Sequence, residues 1–242
     1  MKILVVSDHE EGSLYKHFDP DRWVGKVQLV ISCGDLRSEY LSYLVTVLAV
    51  PLLYVAGNHD RSFHTQPPEG CDDIDGKLVR IEGLRILGLA GCLRYNSGED
   101  DYQYTERRLR WRIRALMPTI WRAGGIDLVV SHAAPLRCPT YRQYHLPPTG
   151  LGRVCGHPEL PGHPAICPEA IDPAHRGVSP YNDAIDHWKP RWWVHGHNHL
   201  EYGRIPRLWW IQNTQVINAD GHVVVDTSQA ADAGYGSLVR GM

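Results

Sequence analysis

Short apolar runs that each end in polar residues are the feature of this sequence that most restricts its fold. The polar ends fall at residues 7–10, 33–35, 57–60, 131–132 and 195–199. The first runs alternate with a helical pattern, which is typical of a βαβ unit and a parallel sheet. Because ligand sites of open α/β sheets form at the carboxyl ends of the strands, we expect the polar residues to converge in one crevice.

Apolar periodicity predicts the individual elements. Strands are expected at residues 2–7, 28–33, 51–56, 126–130 and 191–194, helices at 38–49, 105–117 and 179–188, and a hairpin at 77–81 and 85–89. Pro118 is expected to end or kink the second of these helices. Short antiparallel strands are predicted at residues 201–205, 208–211, 214–218 and 222–225.

Length and charge narrow the class of protein. The chain of 242 residues is long enough to bury a full core, and no linker divides it, so we expect a single domain over 1–227. The net charge of −2 gives no global attraction to nucleic acid or to an anionic membrane. The apolar run at 2–7 ends in a charge rather than in a cleavage site. We therefore expect a cytoplasmic protein without a membrane partner, whose six cysteines are free thiols.

Residues 133–178 are predicted to form an irregular insertion, because proline is frequent and periodicity is absent. A stretch of this length is usually functional or stabilised in itself, and we expect a loop that covers the substrate. Alternatively, the insertion holds its own zinc ion. The candidate ligands, which have no standard spacing, are Cys138, Cys155, His157, His163 and Cys167. Residues 228–242 are expected to be a flexible tail.

Two positively charged features are candidates for binding phosphate. Arg176, next to His175, could hold a phosphate oxygen as a two-pronged donor, or it could be an ordinary surface arginine. The helix predicted at 105–117 carries arginines at 107, 108, 110, 112 and 114. These arginines form either a solvated helix face or a surface for a phosphate-rich partner.

Three histidines in five positions, His195, His197 and His199, follow the last apolar run. Histidine is the commonest metal ligand among side chains, and side chains two apart on a strand point the same way, so His197 and His199 are expected to face one cluster. His195 precedes the glycine and is expected to support the cluster or to pack. Together with the acidic and amide residues of the other strand ends, the donors suit Mn, Fe, Zn or Mg. They are too many for one tetrahedral ion and match two ions about 3.5–4 Å apart.

The order of these segments is Asp, Gly-Asp, Gly-Asn-His-Asp, His and Gly-His-x-His. In this order the sequence resembles the calcineurin-like metallophosphoesterase family from residue 2 to about residue 226. The resemblance implies an α/β fold, a four-layer αββα sandwich with two mixed β-sheets. It also implies a dinuclear metal centre at the carboxyl ends of the strands.

The resemblance further implies a role for each matched residue. Asp35 would bridge both ions. The other ligands would divide into Asp8 and His199 for one ion, and Asn58, His132 and His197 for the other. His59 would protonate the leaving oxygen or stabilise its charge, and Asp60 would orient that imidazole. A water or hydroxide held between the ions would attack phosphorus in line.

One motif departs from the family pattern. The family has Asp-x-His after the first strand, whereas this sequence has Glu10 at the histidine position and His9 one place early. Strand alternation would turn Glu10 toward the metals and His9 away from them. Glu10 would then replace the missing ligand, or the first ion would have one ligand fewer. His9 could serve as the ligand only with a local bulge.

The function that follows is metal-dependent hydrolysis of phosphoric esters. A phosphodiester is slightly favoured, and the expected substrate is a phosphorylated small molecule or nucleotide, with nucleic acid as a further candidate. A phosphomonoesterase with the same centre remains open. A non-catalytic scaffold of the same fold is the alternative from another class, since members that lose ligands can act in that way. The sequence does not predict an oligomeric state.

Overall fold

Two mixed β-sheets form the centre of the structure, a computed structural model that describes residues 1–96, 101–138, 173–200 and 206–228. The helices are α1 (Pro20–Trp23), α2 (Ser38–Leu48), α3 (Glu106–Ala123) and α4 (Ser179–Trp188). The strands are β1 (Lys2–Ser7), β2 (Leu29–Ser32), β3 (Leu52–Tyr54), β4 (Asp72–Asp73), β5 (Leu78–Ile81), β6 (Leu84–Leu89), β7 (Cys92–Leu93), β8 (Gln103–Tyr104), β9 (Leu128–Ser131), β10 (Trp192–His195), β11 (Leu208–Ile211), β12 (Thr214–Asn218) and β13 (Gly221–Asp226).

The first sheet has the order β13-β1-β2-β3-β4, and the second has the order β11-β12-β10-β9-β6-β5. In the first, β1 to β4 are parallel and β13 is antiparallel to β1. In the second, β12, β10, β9 and β6 are parallel, and β11 and β5 are antiparallel edge strands. The prediction of two mixed sheets is therefore confirmed, and so is the hairpin, which is formed by β5 and β6.

Burial on both faces explains why the strands read as continuous apolar runs. Trp192 and Val194 of β10 pack in a hydrophobic cluster that also contains β1, β2, β3 and α2. Trp193 points the other way, into a second cluster with α3 and α4. Neighbouring residues alternate because successive side chains of a strand face opposite sides of the sheet. Helices thus flank the pair of sheets, while the four-layer count stays a prediction.

Helix α3 does not end at Pro118, the first of the two expected effects of that residue, but runs through it to Ala123. Proline removes one backbone hydrogen bond from a helix, yet Ile113 and Ile120 continue the buried face on either side of it. The Thr105 side chain accepts from the amide of Arg108 at the start of the helix, and Gly124 ends it with φ +80°. Tertiary burial therefore outweighs the local cost of the proline.

The last strands also differ in part from expectation. β12 is antiparallel to β11 but parallel to β10, and β13 belongs to the first sheet. The strand predicted at 201–205 lies outside the described residues, as do residues 139–172 and 229–242. The single domain, the covering loop, the insertion zinc site and the tail stay predictions. Cys33, Cys71, Cys92 and Cys138 have free thiols. No helix among the described residues is both long and apolar enough to span a bilayer.

Candidate metal centre

The polar strand ends of the two sheets meet. Asp8, Asp35 and Asn58 follow β1, β2 and β3 of the first sheet, and His132 follows β9 of the second. The His132 ring bridges the sheets, with Nδ1 2.8 Å from the Cys33 carbonyl oxygen and Nε2 2.9 Å from Asn58 Oδ1. Convergence of residues as far apart in sequence as Cys33 and His132, which are 99 positions apart, is what the parallel topology predicts.

Asp35, His132 and His197 form the first candidate ligand group, each offering one donor atom within 4.8 Å of the others. His132 Nε2 lies 3.3 Å from Asp35 Oδ2, and the His132 and His197 ring centroids are 4.8 Å apart. His132 is fully buried, and His197 is 5% exposed. Two imidazoles and a carboxylate held away from bulk water are donors suited to a divalent transition metal.

The ionisation states of Asp35 and His132 depend on each other. Burial opposes the charge on His132, but Asp35 outweighs burial and raises the pKa of His132 to about 9. Burial likewise opposes the charge on Asp35, yet His132 lowers the Asp35 pKa below its ordinary value. Burial lowers the pKa of His197 well below its ordinary value. Since metal ligands are deprotonated, an ion would displace the proton of His132 and take over the charge opposite Asp35.

His9, His199 and Asp220 form a second group, with donor atoms again within 4.8 Å of one another. His9 Nδ1 lies 2.7 Å from Asp220 Oδ1, and the His9 and His199 ring centroids are 5.1 Å apart. His197 and His199 thus belong to different candidate groups, and the expectation that both face one metal cluster stays a prediction. β10 ends at His195 and His197 has φ +66°, so strand alternation does not extend to them.

Asp220 is absent from the polar segments predicted from the sequence, although it too follows an apolar run. β12 is a buried run that ends at Asn218, and Asp220 follows two residues later, as polar residues follow the other strands. Asp220 is 6% exposed, and its Oδ2 accepts from the amide of Leu200 at 2.7 Å. A sixth strand end thus joins the five that were recognised.

Asp8 and Glu10 have different surroundings. Both carboxylate oxygens of Asp8 accept from the amide of His197 at 3.0 Å, and burial raises the pKa of Asp8. Glu10 binds Arg37 through both oxygens, each at 2.6 Å. The alternation that would turn Glu10 toward the metals does not apply, because β1 ends at Ser7 and Asp8 has φ +62°.

The segment before α4 lies against His197 and His199. The His175 ring centroid is 5.0 Å from that of His197 and 5.9 Å from that of His199. His197 Nε2 lies 2.6 Å from the carbonyl oxygen of Ala174 and donates to it. Arg176 is exposed beside them. The two residues predicted to bind substrate are thus next to the candidate centre, and their role stays a prediction.

In the described part of the chain, His195 belongs to neither candidate ligand group. It is 4% exposed, and its Nδ1 lies 2.9 Å from the Gly196 carbonyl oxygen. Burial lowers the pKa of His195 to about 4, so the ring is neutral near pH 7. A packed, neutral imidazole agrees with the supporting role expected for it.

His59 and Asp60 follow β3, where the resemblance implies that Asp60 orients the His59 imidazole. Asp60 Oδ2 accepts from the amides of Gly57 at 2.7 Å and Asp35 at 2.8 Å. Burial, with a smaller effect of Asp35, raises the pKa of Asp60 to about 6. The His59 amide donates to Asp35 Oδ1 at 2.8 Å, while its side chain is exposed. Asp60 therefore ties together the backbones of the loops that follow β2 and β3, and its effect on the His59 ring stays a prediction.

Asp60→Ala is accordingly expected to lower metal content as well as turnover, because both loops lose their shared acceptor. Each buried amide left unsatisfied costs about 1–3 kcal/mol of unfolding free energy. Urea unfolding and metal analysis of the purified variant measure the two effects. Asp60→Asn retains an acceptor oxygen and serves as the control. Full metal content with loss of turnover alone would instead support an Asp60 that orients His59.

Two glycines make room for the carboxylates of the centre. A Cβ on Gly57 would collide with the Asp35 carboxylate and lie 2.7 Å from His132 Cε1. A Cβ on Gly196 would lie 2.5 Å from Asp8 Oδ2. Side chains other than hydrogen are therefore excluded where the loops approach. This close approach, and two groups that each pair two imidazoles with a carboxylate, fit a pair of divalent ions.

Comparisons with protein-family models and with curated proteins find no match. Among solved structures, TT1561 of Thermus thermophilus aligns with a TM-score of 0.55 and 15% identity, over 98% of this chain and 98% of that one. Another crystal structure aligns with a TM-score of 0.56 and 13% identity, over 94% and 95% of the two chains. An archaeal phosphodiesterase is more distant, with a TM-score of 0.42 and 14% identity over 94% of each chain.

The chain shares its fold with the first two of these structures, and it is the fold that the resemblance to the calcineurin-like metallophosphoesterases implies. The fold is α/β, with two mixed sheets flanked by helices and with the polar strand ends gathered at one place. At these identities the likeness concerns the fold alone.

Proposed function

We propose that this protein is a metal-dependent hydrolase of phosphoric esters that acts through a dinuclear centre. The observation that carries the proposal is the presence of two adjoining groups, Asp35 with His132 and His197, and His9 with His199 and Asp220. Each group combines residues from strand ends that are far apart in the chain. Five of the six residues lie in the polar segments predicted from the sequence, and Asp220 is the exception. A packing role would not require four imidazoles and two carboxylates to be gathered in this way.

Two divalent ions, when bound, would supply Lewis acidity and lower the pKa of a water molecule. The chain itself supplies the positioning. His132 and Asn58 are tied to each other, and the His59 amide fixes one oxygen of Asp35, so the ligands of the first group are held before an ion arrives. The exposed His59 ring is free to face a bound ester and to donate a proton to the leaving oxygen.

For the substrate we propose a phosphodiester, such as a cyclic nucleotide or nucleic acid. Arg176 and His175 lie at the edge of the centre, where a second phosphate substituent or a neighbouring phosphate would be held. The arginines of α3 are less available to bind a phosphate-rich partner than the sequence suggested. Arg112 is paired with Asp75, and Arg110 with Glu106. A phosphomonoester is the alternative substrate for the same centre.

The function is tested with metal-reconstituted protein and two matched substrates. We expect hydrolysis of bis(p-nitrophenyl) phosphate in the presence of Mn²⁺, Fe²⁺, Zn²⁺ or Mg²⁺, and a fall of about 100-fold or more after removal of metal with EDTA. Adding the metal back should restore the rate. Release of p-nitrophenol measures the activity, and metal analysis of the same sample gives the ion content.

The control substrate is p-nitrophenyl phosphate, which differs only in lacking the second ester. Faster hydrolysis of this monoester would replace the diester proposal with the monoesterase. Protein that binds two ions and hydrolyses neither substrate would overturn the enzymatic proposal in favour of a metal-binding scaffold.

A further inference from the structure

His9 lies where the chain turns away from β1. After Ser7 ends the strand, Asp8 has φ +62°, and the amide of His9 donates to the Ser7 carbonyl oxygen at 2.6 Å. The turn brings His9 Nδ1 to 2.7 Å from Asp220 Oδ1 and the ring to 5.1 Å from that of His199. The histidine that stands one place early in the sequence therefore reaches the same place as His199.

Asp220 is held so that one carboxylate oxygen faces the imidazoles. Its amide donates to Asn218 Oδ1 at 2.9 Å, and its Oδ2 accepts from Leu200. The other oxygen, Oδ1, faces His9 at 2.7 Å and His199 Nδ1 at 3.6 Å. The Asp220 side chain is 5% exposed, so its charge is sheltered from water. The Asp220 carboxylate and the two imidazoles thus present three donor atoms that could hold one cation.

Glu10 is engaged elsewhere. Both of its oxygens accept from Arg37, from Nε and from Nη2, in a two-pronged ion pair. Among the described residues, the groups able to hold a metal ion do not include Glu10. For Glu10 to coordinate an ion, the pair with Arg37 would have to break, whereas His9 needs no rearrangement of its backbone.

We infer that His9, His199 and Asp220 hold one of the two ions, with His9 and Asp220 replacing the ligand that is missing at residue 10. The inference rests on the proposed function, since it names the ligands of one site in that centre. Two imidazoles and one carboxylate form a ligand set that is used at catalytic zinc and non-haem iron sites, and it leaves coordination positions open. The ion would take the place of the hydrogen bond that now joins His9 to Asp220.

The test measures metal binding by the full chain, independently of turnover. Chelator-stripped protein is titrated with Mn²⁺ by calorimetry, and retained metal is counted after dialysis. We compare the unaltered protein with His9→Gln, Asp220→Asn and the matched control Glu10→Gln. The unaltered protein and Glu10→Gln should bind two ions. His9→Gln and Asp220→Asn should retain one, with affinity for the other lowered about 100-fold or more.

Other results decide against the inference or against the proposed function. If His9→Gln binds both ions with unaltered affinity, the inference is wrong, whatever the state of the more buried Asp220→Asn. Loss of an ion from Glu10→Gln, with retention in His9→Gln, would assign the site to Glu10. Unaltered protein that binds no ion overturns both the inference and the proposed function. Two ions that depend on His9, without hydrolysis of either ester, would uphold the inference and overturn the proposed function.

Discussion

His197→Ala is expected to lose metal and activity together. The His197 imidazole is 5% exposed and lies with Asp35 and His132 in the first group, so no other side chain of that group can take its place. Loss of an ion removes several kcal/mol of transition-state stabilisation, which corresponds to a fall in turnover of about 1,000-fold or more. Metal analysis and diester hydrolysis on the same sample measure both effects.

His187→Ala is the matched control for this variant. It removes an exposed histidine from α4, outside both groups, and should change neither metal content nor turnover. Circular dichroism of both variants separates loss of metal from loss of fold. Retention of both ions by folded His197→Ala would show that His197 is not a ligand, and the first group would have to be reassigned.

His59→Ala is expected to keep the metal and lose turnover by about 100-fold to 10,000-fold, the range of a general acid. The structure explains why metal binding and turnover should respond differently to this change. The contact of residue 59 with Asp35 is made by its backbone amide, which alanine retains, while the imidazole itself is exposed. The loss should be smaller for substrates with better leaving groups, which need less protonation.

His64→Ala is the control, since His64 is an exposed histidine five residues further along the chain, stacked on Tyr102. It should retain both metal and turnover. Unchanged turnover in His59→Ala would refute the role of this residue as a proton donor. A loss that is equal for good and poor leaving groups would point to binding of the substrate rather than to proton transfer.

Much of the fold could be predicted from the sequence because its strands are apolar on both faces and its helices have one apolar side. β1, β11, β12 and α4 begin and end where the periodicity indicated. α3 is longer than predicted, because burial of Ile120 beyond Pro118 is a tertiary effect that a local rule for proline does not contain.

The sequence by itself determined which strand ends carry polar residues and in which order they follow one another. The tertiary structure alone decided how these residues divide into groups. Asp8 and His197 adopt left-handed backbone angles, which end the alternation of side chains and separate His197 from His199. The same turn at Asp8 brings His9 to Asp220, across 211 residues of sequence, while Glu10 meets Arg37. A side chain's direction depends on such dihedral angles and on distant partners, and neither is encoded in the local pattern of residues.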